Sequence, residues 1–195
     1  IRVLYTTDTV DVVAAAAGVV KGVRDGVTDR LVKTEEDIAA VRNKECGNGV
    51  VVTHAQGWET QYCHMRRGSV TVKAGLTVAA GDKLGEIGFS GNAAFPHVHL
   101  TVRKNGKAVD PFSADGTTDC NASDRSLWQS QAQKDLTYKG TELLQLQWAT
   151  RVYDASEIET GPLPTSIPKG DEAALVLYAQ VINLHKDDVV NLNVS

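Results

Sequence analysis

Two histidines separated by one residue, His97 and His99, are the residues of this sequence best placed to do chemistry. Side chains two positions apart on a β-strand share a face and lie roughly 6 to 7 Å apart at the backbone. Two such imidazoles can converge on one metal ion, or one can bind a metal while the other exchanges protons with a substrate. A third histidine, His64, lies at the end of another β-prone run. The pattern therefore indicates either a metal-centred cluster or partly exposed strand histidines with hydrogen-bonded rings.

The segments that carry these histidines have the signals of short antiparallel strands. Two β-prone runs, residues 47–54 and 58–64, flank a Gly-containing connection, which predicts a hairpin. Residues 96–102 predict a further strand, and Asn105-Gly106 predicts the tight turn of a second hairpin after it. We expect an all-β, antiparallel unit that ends near Phe112.

Other segments of the same unit are predicted less directly. The apolar run at residues 10–20 predicts one buried strand, and glycines at nearly every corner of residues 70–88 predict short strands joined by tight turns. Thr34 followed by three acidic residues is typical of a helix start, so we expect about two turns of helix there.

A second unit is expected after a polar linker. Residues 113–127 are rich in Ser, Asp, Thr, Gly and Asn, which is typical of a linker or a long surface loop. Residues 128–195 then predict a small β-sandwich-like module that stops within a strand pattern. Its predicted strands are residues 143–152, 173–182 and 189–194.

Composition limits the classes of function. The formal charge of −4 and the pI near 5.7 argue against nucleic acid or an anionic membrane as a partner, since both require clustered Lys and Arg. The longest apolar run is too short to span a bilayer. Three cysteines, Cys46, Cys63 and Cys120, are an odd number without a C-x-x-C spacing, so their pairing stays open.

Residues 5–112 resemble the LytM and lysostaphin-type zinc endopeptidases. Several motifs follow one another in the order of that family. They are Cys46-Gly47-Asn48-Gly49-Val50-Val51-Val52, Tyr62-Cys63-His64-Met65, Val78-Ala79-Ala80-Gly81-Asp82, Gly91 through Leu100, and Val109-Asp110-Pro111.

The resemblance implies a zinc-dependent enzyme that cleaves peptide bonds in bacterial peptidoglycan, on the small antiparallel fold of the lysostaphin type, a duplicated hybrid motif. It implies that His99 is a zinc ligand and that His64 and His97 are catalytic. It also implies a bacterial envelope location, periplasmic or secreted. Phe95, beside His97, is a candidate for lining the substrate groove, although aromatic residues in strand segments more often pack in the core.

One departure from the family pattern is the missing His-x-x-x-Asp motif, which in relatives supplies the other two ligands. No histidine precedes His54, and Asp11 is rejected as a substitute because it stands too close to Gly18 for the family's spacing. We therefore expect an N-terminally truncated enzyme that binds zinc poorly in this form. The alternative is a degenerate, non-catalytic relative that binds peptidoglycan or activates a cell-wall amidase. His54 is interpreted as a structural residue. His185 is interpreted as a residue of an exposed turn.

Overall fold

The structure, a computed structural model, describes residues 9–113, 126–136, 141–154, 157–158 and 175–193. Within these ranges most of the regular structure is antiparallel β-strand, with two short α-helices and one 3₁₀ turn at Ala55–Gly57, which confirms the predicted all-β class. The strands are β1 (Asp11–Val13), β2 (Gly18–Arg24), β3 (Asn48–Thr53), β4 (Trp58–Met65), β5 (Thr77–Val78), β6 (Lys83–Glu86), β7 (His99–Lys104), β8 (Lys107–Val109), β9 (Glu142–Ala149) and β10 (Val176–Ile182). The helices are α1 (Glu35–Ala40) and α2 (Ser130–Asp135).

A six-stranded antiparallel sheet forms the main scaffold, in the order β5-β2-β3-β4-β7-β8. The predicted hairpin between β3 and β4 is present, as is the one between β7 and β8. Asn105 and Gly106 have φ values of 50° and 79° at the second turn, the left-handed conformations that a two-residue hairpin turn requires. Cys63 on β4 is the register partner of His99 on β7, so the hydrogen-bonding pattern itself brings two of the histidine segments together.

The core lies on one face of this sheet, under a second sheet formed by β1 and β6. Alternation along β2 shows which face is covered, because Val20 is 1% exposed whereas its neighbour Val19 is 43% exposed. Tyr62 is buried in this core, and its hydroxyl accepts a hydrogen bond of 2.7 Å from the backbone N–H of Ala15. The buried residues that form this core cluster are Val12, Ala14, Val20, Val50, Val52, Tyr62, Met65, Val78, Leu84 and Ile87.

The prediction of one buried strand over residues 10–20 is wrong. The chain forms β1 and β2 with a bend at residues 14–17 between them, and Val10 is 37% exposed. The bend arises because Ala14 exchanges backbone hydrogen bonds with the turn at residues 79–82, at 2.9 Å to the Asp82 carbonyl and 2.8 Å from the Gly81 N–H. These contacts direct β1 onto β6 and β2 onto β3.

The expected helix start at Thr34 is confirmed. The Thr34 hydroxyl accepts a bond of 3.2 Å from the Asp37 N–H, and the Asp37 carboxylate accepts one of 3.0 Å from the Thr34 N–H. This reciprocal pair is a capping box, which satisfies backbone donors that the helix itself leaves unpaired.

The second region contains one antiparallel pair among its described residues, β9 with β10. The strands predicted at residues 143–152 and 173–182 correspond to β9 (Glu142–Ala149) and β10 (Val176–Ile182). The strand predicted at 189–194 is not found, since the described residues 189–193 form no strand. Before them the chain turns at residues 185–188, where the His185 N–H donates to the Asp188 carboxylate at 2.8 Å. Most of the expected linker lies outside the described residues. None of the described helices is both long and apolar enough to cross a membrane.

Candidate active site

The three histidines of the predicted cluster meet at one end of the six-stranded sheet. Each of His64, His97 and His99 offers one ring nitrogen, and these atoms lie within 4.8 Å of one another. The ring centroid of His64 lies 4.7 Å from that of His97 and 5.7 Å from that of His99. The sequence placed these residues on two separate segments, and the pairing of β4 with β7 unites them.

His64, near the end of β4, is held in an unusual conformation. Its φ of 62° lies in the left-handed region, which residues other than glycine rarely adopt. Its N–H donates to the Cys46 carbonyl at 2.8 Å, and its own carbonyl accepts from the Gly88 N–H at 3.0 Å. The side chain is 5% exposed, and its Nδ1 lies 2.8 Å from the Ser90 carbonyl oxygen. Because that oxygen only accepts, Nδ1 carries the proton and Nε2 keeps a lone pair.

A buried polar network supports this carbonyl of Ser90. The Ser90 hydroxyl donates to the Met65 carbonyl at 2.6 Å and accepts from the Asn48 N–H at 2.9 Å. The Asn48 side chain is fully buried, and its amide donates to the Met65 carbonyl at 3.1 Å and to the Val27 carbonyl at 2.8 Å. Gly47 packs directly on Ser90 with a φ of 62°, and a Cβ there would overlap the Ser90 carbonyl. The network therefore fixes the position of the atom that orients His64.

His97 and His99 are oriented by neighbours on their own segment. His97 Nδ1 lies 2.8 Å from the Phe95 carbonyl oxygen, so this ring also presents Nε2. The Thr101 hydroxyl lies 3.2 Å from His99 Nε2, and either of these two groups can donate the hydrogen bond. The predicted strand over residues 96–102 begins only at His99, because His97 makes a single bridge with Gly88 instead of joining the ladder. His99 is thus held in a β-strand, whereas His97 lies in the segment just before that strand.

The electrostatic surroundings favour the neutral form of His64. Burial lowers the pKa of its imidazole, and positive charge on His97 or His99 would lower it further, while the bond to the Ser90 carbonyl opposes the shift. A neutral, buried ring with a lone pair on Nε2 can accept a proton.

The other residues considered from the sequence lie outside the cluster. His54 uses both ring nitrogens within the fold, at 2.8 Å from the Ala17 carbonyl and 2.8 Å from the Thr60 hydroxyl. Asp11 forms an exposed ion pair with Lys83, and the side chain of His185 is 75% exposed. Phe95 is half-buried, and its ring centroid lies 4.9 Å from that of His97.

The donor set fits a zinc ion in its chemistry, because neutral imidazole is a common zinc ligand and each ring has one nitrogen fixed by a protein oxygen. Sequence reasoning missed the supporting residues Asn48 and Ser90, as well as a disulfide between Cys46 and Cys63. The available signal was that Cys46, Asn48 and Cys63 lie inside the motifs that resemble the endopeptidase family, and that Ser90 directly precedes one of them.

The sequence pattern of peptidase family M23 matches residues 3–111, which is more than half of the chain. The chain therefore belongs to peptidase family M23, a family of metallopeptidases. This agrees with the resemblance found from the motifs and with the antiparallel fold that carries the histidine cluster.

Curated relatives match shorter stretches. The DD-carboxypeptidase/endopeptidase Mpg of Neisseria meningitidis serogroup B is 36% identical over 89 residues, which are 45% of this chain and 20% of that protein. The peptidoglycan DD-endopeptidase ShyB of Vibrio cholerae is 31% identical over 78 residues, which are 40% of this chain and 18% of that protein. The chain thus spans about a fifth of the length of these relatives.

Among solved structures, a zinc-containing peptidase from Vibrio cholerae is 26% identical, with a TM-score of 0.41, and the match covers 54% of this chain and 26% of that one. The catalytic domain of lysostaphin from Staphylococcus simulans is 22% identical, with a TM-score of 0.38, and the match covers 55% of this chain and 71% of that one.

Proposed function

We propose that this chain carries the catalytic domain of a zinc-dependent endopeptidase that hydrolyses peptide bonds in bacterial peptidoglycan. The main support is the convergence of three imidazoles, each with one ring nitrogen bonded to a protein oxygen, in a chain of peptidase family M23. Two curated relatives from Vibrio cholerae that are named peptidoglycan DD-endopeptidases support the substrate class.

The three histidines are proposed to have different roles. His99, the most exposed, is the metal ligand, and a bound zinc would polarise the scissile carbonyl and lower the pKa of a coordinated water. His64 and His97 each present Nε2, so either ring can accept a proton from the attacking water. A ring that has taken up the proton can then donate a hydrogen bond to the developing oxyanion. Phe95 extends an apolar surface beside His97 and is proposed to contact the substrate.

We assign this function to residues 1–112 and propose that residues 113–127 link them to an accessory β module at 128–195. The names of the relatives support a bacterial envelope location, periplasmic or secreted, where peptidoglycan is accessible. His99 is the only residue of this chain to which we assign metal binding, so the site needs two further ligands for tight binding.

The test compares this 195-residue chain with a longer form of the protein that includes the residues encoded before Ile1. Zinc stoichiometry and hydrolysis of purified peptidoglycan are measured on both. We expect chelator-sensitive hydrolysis in the longer form, and a large loss of rate in its His64→Ala and His97→Ala variants with folding retained. His54→Ala serves as the control, because His54 lies outside the cluster.

Hydrolysis that survives both substitutions would show that the assigned roles are wrong. Absence of zinc binding and hydrolysis from both forms would favour the alternative function, a domain that binds peptidoglycan or activates an amidase without cutting.

A further inference from the structure

A disulfide joins the two segments that determine where His64 lies. Cys46 and Cys63 are separated by 17 positions in the sequence, and their Cα atoms lie 4.8 Å apart. Cys63 directly precedes His64 and is 5% exposed. The covalent bond is therefore one residue away from a member of the histidine cluster.

The same two segments are joined by a hydrogen bond at His64 itself. The carbonyl of Cys46 accepts from the His64 N–H at 2.8 Å, so one residue provides both the covalent link and the backbone acceptor. His64 has a φ of 62°, and a non-glycine residue persists in this region only when its surroundings impose it. The disulfide links Cys46 to the residue before His64, so it lies next to the hydrogen bond between the Cys46 carbonyl and the His64 N–H.

The bond also anchors the strand that faces the other histidines. Cys63 is the register partner of His99, and the Gln61 side-chain amide donates to Cys46 Sγ at 3.3 Å. A Cβ added at Gly49 on β3 would lie 3.1 Å from Cys46 Sγ and would overlap the Tyr62 carbonyl. The end of β4 is thus tied to the loop at residues 45–47 by covalent, hydrogen-bonding and packing contacts.

We propose that Cys46 and Cys63 are positioning residues whose disulfide holds His64 in the left-handed conformation that aims its imidazole at His97 and His99. The oxidised pair keeps the cluster assembled, and the dithiol form releases the end of β4. This inference rests on the proposed role of His64, but the position of His64 can be measured without metal or substrate.

The test measures amide hydrogen exchange by NMR on the 195-residue chain carrying Cys120→Ser. In this background every remaining thiol comes from the pair. The variant that carries Cys46→Ser and Cys63→Ser in addition to Cys120→Ser is then compared with the protein that carries Cys120→Ser alone. The His64 amide should exchange at least about tenfold faster in the variant that lacks the pair, because local opening controls its exchange.

The control amide is that of Val20, which is buried on β2 and bonded to the Leu76 carbonyl at 2.8 Å. Its exchange should stay within about twofold. Equal acceleration at both amides would mean that the disulfide contributes only to overall stability, and an unchanged His64 amide would show no positioning role. Either result would overturn the proposal.

A second route covers the case in which the serine variant does not fold. Dithiothreitol is added to the Cys120→Ser protein, and thiol–disulfide exchange breaks the Cys46–Cys63 bond with two electrons and two protons from the reagent. The products are two protein thiols and the cyclic oxidised reagent. Selective acceleration of the His64 amide, reversed on reoxidation, is the expected result, and no selectivity would contradict the proposal.

These outcomes are separate from those of the proposed function. If the His64 amide responds as expected while the longer form fails to hydrolyse peptidoglycan, the positioning role stands and the enzymatic assignment fails. If the longer form is active, loss of the disulfide should lower kcat more than it changes KM, because His64 acts on the reacting group.

Discussion

Nδ1 of His64 lies 2.8 Å from the carbonyl oxygen of Ser90, 26 positions later in the chain. This contact fixes which nitrogen of the ring faces the cluster, since the carbonyl can only accept. The hydroxyl of Ser90 in turn bonds two backbone groups, so the orientation of His64 depends on a residue that is not itself one of the three histidines.

Replacing Ser90 with alanine should destabilise the protein by about 1 to 3 kcal/mol, because the buried Asn48 N–H loses its partner, whereas the Met65 carbonyl keeps the bond from the Asn48 side chain. Urea unfolding measures the change. Ser69→Ala is the matched control, since its half-buried hydroxyl also donates once, to Arg66, and accepts once, from Glu86. Water can replace those bonds, so a cost below about 1 kcal/mol is expected there. Similar losses at both positions would contradict the importance of the buried network.

A methyl group at Gly47 should disturb the site through Ser90. Gly47 and Gly68 both have positive φ, at 62° and 77°, but a Cβ at Gly47 would overlap the Ser90 backbone, whereas Gly68 has open space. Gly68→Ala should cost about 1 kcal/mol for the backbone conformation alone. Gly47→Ala should cost at least about 2 kcal/mol more, because backbone must shift. Chemical denaturation of the two variants gives the difference directly, and equal costs would show that the packing is not restrictive.

Helix α1 should contribute a pH-dependent part of the stability through Asp37. The backbone N–H of Lys33, with further bonds from Thr34, lowers the pKa of this carboxyl below the 3.8 of an unperturbed aspartate. Since the folded protein holds the ionised form, this stability is present above pH 3.8 and is lost as the pH falls through the lower, folded-state pKa. Asp37→Asn should therefore be less stable than the parent at neutral pH, and the gap should close in acid.

Thermal unfolding over pH 2 to 7 provides the measurement for Asp37. Glu36→Gln, an exposed change in the same helical turn, is the control and should have a small effect throughout. A gap for Asp37→Asn that stays constant down to pH 2 would mean that ionisation of this residue does not matter.

Thr101 should influence metal binding because its hydroxyl lies 3.2 Å from Nε2 of His99. Thr101→Val keeps the shape but removes the bond, so Zn²⁺ affinity in a metal-binding form of the protein should fall at least about tenfold. Thr77→Val, on the exposed edge strand β5, is the control. Competition with a chromogenic chelator measures the Zn²⁺ affinity of both variants. Unchanged affinity in Thr101→Val would show that this hydroxyl does not support metal binding by His99.

Local signals were sufficient for much of the fold. Asn105 and Gly106 specify their own turn, and Thr34 with Asp37 specifies the start of α1, because each depends on residues within a few positions. The proximity of His97 and His99 was also predictable, since they are only two positions apart, whereas His64 reaches them through the pairing of β4 with β7.

Features set by distant contacts were not predictable in this way. The alanines at residues 14–17 carry no turn signal, and their bend is imposed by bonds to Gly81 and Asp82. The support of His64 by Ser90 depends on a loop 26 positions away. The strand expected at residues 189–194 rested on alternation alone, which does not by itself supply a neighbouring strand to pair with.

The short outer strands of the six-stranded sheet have a consequence for behaviour at high concentration. β5 has two residues and β8 has three, one of which is Lys107, so the described sheet exposes few unpaired backbone groups along either edge. Long, flat and open edges are the places where sheets of different molecules join and begin to aggregate. The two edges of this sheet therefore offer little backbone to which a strand of a second molecule could pair.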